Sequence, residues 1–169
     1  NENKFGLAYA HSFGEKFSAG IQFDYFYLHL PGDYGTNGTI VVEAGILAEP
    51  VDKLTFGVHI FNPTRTKIAD FLDERIPTIM RAGFGYAFTE NLIFNIETEK
   101  DLEQKARFKA GIEYMVIQDL YLRTGFATNP NQNYFGLGYK FKNFSANMAF
   151  STNQVLPMST HISIIYTFK

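Results

Sequence analysis

The sequence has no cysteine and no tryptophan. Without cysteine there is no disulfide framework, no thiolate zinc site and no Cys nucleophile. It also lacks a basic excess: 15 Lys and Arg stand against 17 Asp and Glu, a net charge of -2. Such a balance cannot hold a phosphate backbone, so a nucleic-acid partner is not expected. Nor does any apolar run approach the ~18 residues that a spanning helix requires. The Asn1-Glu2-Asn3-Lys4 start leads straight into an alternating segment, with no signal peptide.

Phe, Tyr and Gly are abundant instead, at 18, 10 and 14 of 169 residues. Aromatics and glycine favour sheet and turns over helix. From Lys4 to Lys169 bulky apolar residues recur at every second position, which is the strand period. Phe5-Leu7-Tyr9, Ile21-Phe23-Tyr25, Met80-Phe84-Tyr86-Phe88, Phe135-Leu137-Tyr139-Phe141 and Ile162-Ile164-Tyr166-Phe168 are representative. Eleven candidate strands result. Short connections (near 11–16, 49–53, 89–91, 117–119 and 142–143) alternate with longer ones (31–39, 62–77, 100–104, 129–133 and 152–160). Short turns at one end and long loops at the other describe an all-β, antiparallel, up-and-down transmembrane β-barrel.

The composition of the two faces decides between this and a soluble sandwich. One face carries Phe, Tyr, Ile and Leu in nearly every strand, which would crowd a small interior. The other carries Gly, Ser, Ala and charges, as a lumen face does. Phe13, Phe17, Phe88, Phe141, Phe144, Tyr166 and Phe168 gather near the short turns, as in an aromatic girdle at an interface.

Charges on the second face fall into cross-strand positions. A hairpin centred near Glu103 sets Glu99 opposite Arg107, Glu97 opposite Lys109 and Asp101 opposite Lys105. One centred near Thr89 sets Arg81 opposite Glu97, and one centred near Gln118 sets Glu113 opposite Arg123. Arg81, Glu97, Glu99, Arg107, Lys109, Glu113 and Arg123 are thus expected to form a lumen-facing charge network. Two readings stay open, a brace for the wall or a lining selective for charged solutes.

Enzymatic signatures are absent. His11, His29, His59 and His161 have no metal-ligand spacing. Ser163 lies near His161, but no Gly-x-Ser-x-Gly elbow exists. Gly83-Phe84-Gly85 and Gly136-Leu137-Gly138 sit inside strands and precede no helix. The expectation is a non-enzyme with no cofactor and no metal. In the longest loop, Ile68, Phe71 and Leu72 have helical spacing, which suits either a helix capping the rim or a partner contact at the outer mouth.

The stretch from Tyr134-Phe135-Gly136-Leu137-Gly138-Tyr139-Lys140-Phe141-Lys142-Asn143-Phe144-Ser145 to Thr160-His161-Ile162-Ser163 and Tyr166-Thr167-Phe168 resembles the C-terminal hairpins of the PorV/PorQ-type outer-membrane proteins of Bacteroidota, a FadL-like group. The terminal aromatic frame also resembles the barrel-assembly signal, with Lys169 following the expected final Phe. The resemblance implies a 14-strand barrel. Both barrel termini normally lie on the periplasmic side, which needs an even strand number. Eleven strands then make residues 1–169 the C-terminal portion of a larger barrel whose N-terminal strands are absent. The resemblance further implies a Gram-negative outer-membrane location, contact with lipid, and an accessory role in protein secretion with a secretion-system protein or cargo as partner. The alternative it allows is a FadL-like conduit for hydrophobic or small solutes.

Overall fold

The computed structural model describes residues 2–29, 36–67, 75–153 and 158–168, apart from the side chains at 2, 28, 29, 36 and 37. The strands are β1 (Glu2–Ser12), β2 (Phe17–His29), β3 (Thr36–Val51), β4 (Leu54–Phe61), β5 (Ile79–Thr89), β6 (Leu92–Asp101), β7 (Arg107–Ile117), β8 (Leu120–Ala127), β9 (Gln132–Phe141), β10 (Phe144–Asn153) and β11 (Ser159–Tyr166). They form one 11-stranded sheet in sequence order, each strand paired with the next. The pairs β1–β2, β2–β3, β7–β8, β8–β9, β9–β10 and β10–β11 are all antiparallel. Among the described residues no helix is long and apolar enough to cross a membrane, which says nothing of β-barrels, since these cross with strands.

The turns explain the order. Two-residue connections at 52–53, 90–91, 118–119 and 142–143 fold each strand back on its predecessor. Lys53, Asp119 and Lys142 take left-handed backbone at these corners, with φ of 69°, 67° and 50°. The longer connections lie at the opposite strand ends. Strands β2 and β3 have 13 and 16 residues, beyond the roughly 9–11 that a tilted strand needs to cross hydrocarbon.

The chain packs as two units. The first comprises Asn1–Pro50, Thr55–Ala82 and Glu99–Lys105; the second comprises Val51–Leu54, Gly83–Thr98 and Ala106–Lys169. Among the described residues only Val41, Ile76 and Ala127 are buried apolar side chains. A sandwich would bury one whole face of each sheet in a shared core. Here the large rings stay outside even on strands with a neighbour on either side: Phe84 is 40%, Phe126 53% and Tyr139 50% exposed. The apolar face is therefore exposed and not packed as a core.

Ring clusters mark the short-turn end within each unit. In the first, Phe13 lies 5.8 Å from Phe17. In the second, Tyr166 packs at 4.7 Å against both Phe144 and Phe168, and Tyr86 lies 4.9 Å from Phe88. These edge-on and tilted contacts are the favoured aromatic geometries.

One loop entry is built around Asn62, which is fully buried at the end of β4 with φ of 52°. Its amide Nδ2 donates to the Ile76 carbonyl at 2.7 Å. Its Oδ1 accepts from the Thr64 hydroxyl and the Thr66 N–H, each at 3.0 Å. Its carbonyl accepts from Thr78 Oγ1 at 2.7 Å. Both limbs of the longest connection are thereby pinned to one side chain. Ile68, Phe71 and Leu72 lie outside the described residues.

Candidate functional site

The polar face of the sheet gathers nearly all the strand charges, because parity places them opposite the exposed rings. In the second unit the hub is Arg123 on β8. Glu113 stands directly opposite it in register, and Arg123 Nε donates to Glu113 Oε2 at 2.5 Å. A bulge between Met115 and Ile117 lies between this pair and the turn. Arg123 also reaches across β9, and its Nη1 donates to Asn147 Oδ1 on β10 at 2.7 Å. Gly138 makes this possible. A Cβ there would lie 2.8 Å from both Arg123 Nη1 and Asn147 Oδ1. One guanidinium thus ties β8 to β7 on one side and, across β9, to β10 on the other.

Lys109 Nζ donates to Glu97 Oε1 at 2.7 Å. Arg107 is the residue that the hairpin arithmetic sets opposite Glu99. Its Nη2 donates to Gln132 and to the Tyr134 hydroxyl on β9, the latter at 2.9 Å. Ala127, the small residue opposite Gln132 in register, is buried. Arg107 Nε is buried without a hydrogen bond.

In the first unit, Arg81 Nε donates to Glu99 Oε2 at 2.7 Å. The expected partner was Glu97. The turn is Glu90–Asn91, with the Asn91 N–H on Thr89 Oγ1 at 3.2 Å, so its centre lies beyond Thr89 and moves the partner of Arg81 further along β6.

A further cluster escaped the sequence reading. Lys4 Nζ lies 3.0 Å from Asp24 Oδ2 and 2.7 Å from Glu43 Oε1. Gln22 Nε2 donates to Asp24 Oδ1 at 2.8 Å, and His59 Nε2 lies 2.9 Å from Glu43 Oε2. The rings of Phe26 and Phe61 stand 5.4 Å from the same ammonium, so the polar face also holds aromatics. Shared parity of Asp24, Glu43 and His59 was visible in the sequence; convergence of Lys4 on them was not. Beside the cluster, Ala8, Ala10, Gly20 and Gly45 floor a shallow hollow of about 180 Å³. Among the described residues no three His, Asp or Glu are placed to hold a metal.

The role of Gly138 is testable. Arg123→Met and Gly138→Val are each expected to cost about 1.5–3 kcal/mol, the range for a hydrogen bond to a charged group. Both break the Asn147 contact, so the double variant should lose less than the sum. Urea unfolding in micelles, followed by circular dichroism, measures this; strict additivity would show that Gly138 does not act through Arg123.

An up-and-down antiparallel sheet with an exposed ring-bearing face and a braced polar face defines an outer-membrane barrel fold. Solved structures agree. A mutant of Rh. blastica porin is similar with a TM-score of 0.57 at 8% identity, over 90% of this chain and 56% of the porin chain. Another mutant of that porin matches with a TM-score of 0.57 at 7% identity, over 99% of this chain and 81% of that chain. A Pseudomonas aeruginosa FadL homologue matches with a TM-score of 0.54 at 13% identity, over 89% of this chain and 59% of that one. The chain therefore spans a little over half the length of the first porin chain and of the FadL homologue. Identity this low establishes the fold alone. No family model and no curated protein matches the chain.

Proposed function

We propose that this chain is a wall of a non-enzymatic outer-membrane β-barrel whose polar face borders a path for small or hydrophobic solutes. The observation that carries the reading is the division of faces. Rings on central strands stay exposed, while Glu113–Arg123–Asn147, Glu97–Lys109 and Arg81–Glu99 bridge strands on the other side. Lipid solvates the first face and water the second. The likeness to porin and to a FadL homologue supports the same assignment.

Reconstitution tests it. Liposomes holding the purified protein, in its full-length natural form, should swell in small sugars or take up a hydrophobic dye faster than empty ones. Equal rates for both probes would remove the transport reading.

A second reading rests on the Tyr134–Ser145 and Thr160–Phe168 segments, which resemble PorV/PorQ-type proteins. It makes the chain the C-terminal part of a 14-strand accessory of a Bacteroidota secretion system. A secretion component or cargo then docks at the outer loops, where Ile68, Phe71 and Leu72 lie in sequence. The charge network serves as a brace in this case. Affinity capture from a Bacteroidota outer membrane should recover a secretion component; recovery of none, alongside measured solute flux, favours the conduit.

A further inference from the structure

The geometry points to the Lys4 cluster as a binding cage for a primary alkylammonium group, with Lys4 as its tethered occupant. An acidic pair alone would not define a site. Here a cation is already seated, and the surroundings are built to receive it.

Glu43 accepts from the ammonium at 2.7 Å, Asp24 Oδ2 pairs with it by charge at 3.0 Å, and two rings face the same nitrogen at 5.4 Å. Cations within about 6 Å of a ring centroid gain from the ring quadrupole. The rings meet each other at 6.2 Å and 70°, which closes that side of the cage. Val41 on β3, the strand between β2 and β4, is fully buried.

Each anion is held independently of Lys4. Asp24 is fully buried, Gln22 holds its Oδ1, and its Oδ2 makes no hydrogen bond within the protein. The Asp24 carboxylate leans over β1 into the space that a Cβ on Gly6 would fill. His59 holds the second oxygen of Glu43. If Lys4 leaves, a buried carboxylate beside two rings remains, and an unpaired buried charge is costly. Such a vacancy demands another cation.

Lys4 is the part able to leave. Its side chain is 40% exposed, against 0% for Asp24 and 15% for Glu43. The cage lies where β1 begins and where β2 and β4 end, at the end of the strands that carries the longer connections. An ammonium arriving from that side meets the cluster directly. The N–H bond to Glu43 selects a primary amine over a quaternary one. A tethered group competes at an effective concentration in the millimolar range or above, so the unmodified chain binds free amines weakly.

The inference concerns binding and stands whether or not the wall conducts solute. The test is complementation by the missing atoms. Lys4→Ala, purified in micelles, is titrated with n-propylammonium by calorimetry. Saturable binding is expected, at least 10-fold tighter than in the unmodified chain and at least 10-fold tighter than for tetramethylammonium. Adding Glu43→Gln, or Gly6→Ala to displace Asp24, should abolish it. Absence of saturable binding to a folded Lys4→Ala chain, or survival of binding in the Glu43→Gln background, overturns the proposal. If Lys4→Ala does not fold, the unmodified chain decides: the ¹⁵N-lysine ammonium signal of Lys4 should shift toward that of free lysine at about 1 M n-propylammonium, and an unchanged signal refutes the cage.

Discussion

Leu137→Arg should lower stability in a lipid bilayer by about 2–4 kcal/mol, the cost of Arg on the lipid face near the midplane of a barrel. Leu137 lies in the middle of β9, Gln132–Phe141. Its register partners are Leu122 on β8 and Met148 on β10, and all three side chains are exposed. A guanidinium there has no carboxylate within the apolar row and must be solvated by hydrocarbon or snorkel to the interface. The control is Asn95→Arg. Asn95 is exposed on the polar face of β6, two residues from Glu97, so the same side chain enters water beside an anion. It should cost about 0–1 kcal/mol, as surface charge changes do. Folding into liposomes across a urea series measures both. Tolerance of Leu137→Arg together with collapse of Asn95→Arg would invert the two faces, and the outer-membrane reading would fail with them.

That contrast rests on what period-two alternation makes legible. A one-residue slip would move every ring to the other face, so the sequence specifies which side is greasy once the strands are located. Phe135-Leu137-Tyr139 and Ile162-Ile164-Tyr166 declare this without knowledge of any partner. The Glu113–Arg123 pair was legible too, since a hairpin centred near Gln118 opposes them; the bulge between Met115 and Ile117 brings the two-residue turn into that register. Contacts that depend on turn placement or on a third strand were not. Arg81 meets Glu99 because the β5–β6 turn sits beyond Thr89. Arg107 on β7 reaches Gln132 on β9, a third strand that pairwise hairpin arithmetic does not include. Phe26 and Phe61 were hidden for a different reason. Aromatic side chains read as lipid-facing by composition, yet these two stand on the polar face, where a neighbouring ammonium rewards them.

Asn62 carries the other large expected effect, because one buried amide closes a loop that no strand pairing can. Replacement by Ala removes the donor to Ile76 and the acceptor of Thr64 and Thr66. Ile76 and Thr78 are themselves buried, so water does not readily replace the lost partner. An unsatisfied buried group costs about 1–3 kcal/mol. Ala must also hold the left-handed backbone that Asn adopts at φ of 52°, at a further ~1 kcal/mol. The sum, roughly 2–4 kcal/mol, falls on the loop and not on the whole sheet, since loops open locally at lower free energy than the ladders beside them. Trypsin reads it directly: Arg65, Lys67 and Arg75 flank the node, and cleavage there should accelerate by roughly 30-fold or more. Asn62→Gly separates the two contributions. It loses the hydrogen bonds but accepts the backbone, so its cleavage should fall between those of Asn62 and Asn62→Ala. Equal rates for the Gly and Ala variants would assign the whole effect to the amide. An unchanged rate in both would mean that the connection is held by residues other than Asn62.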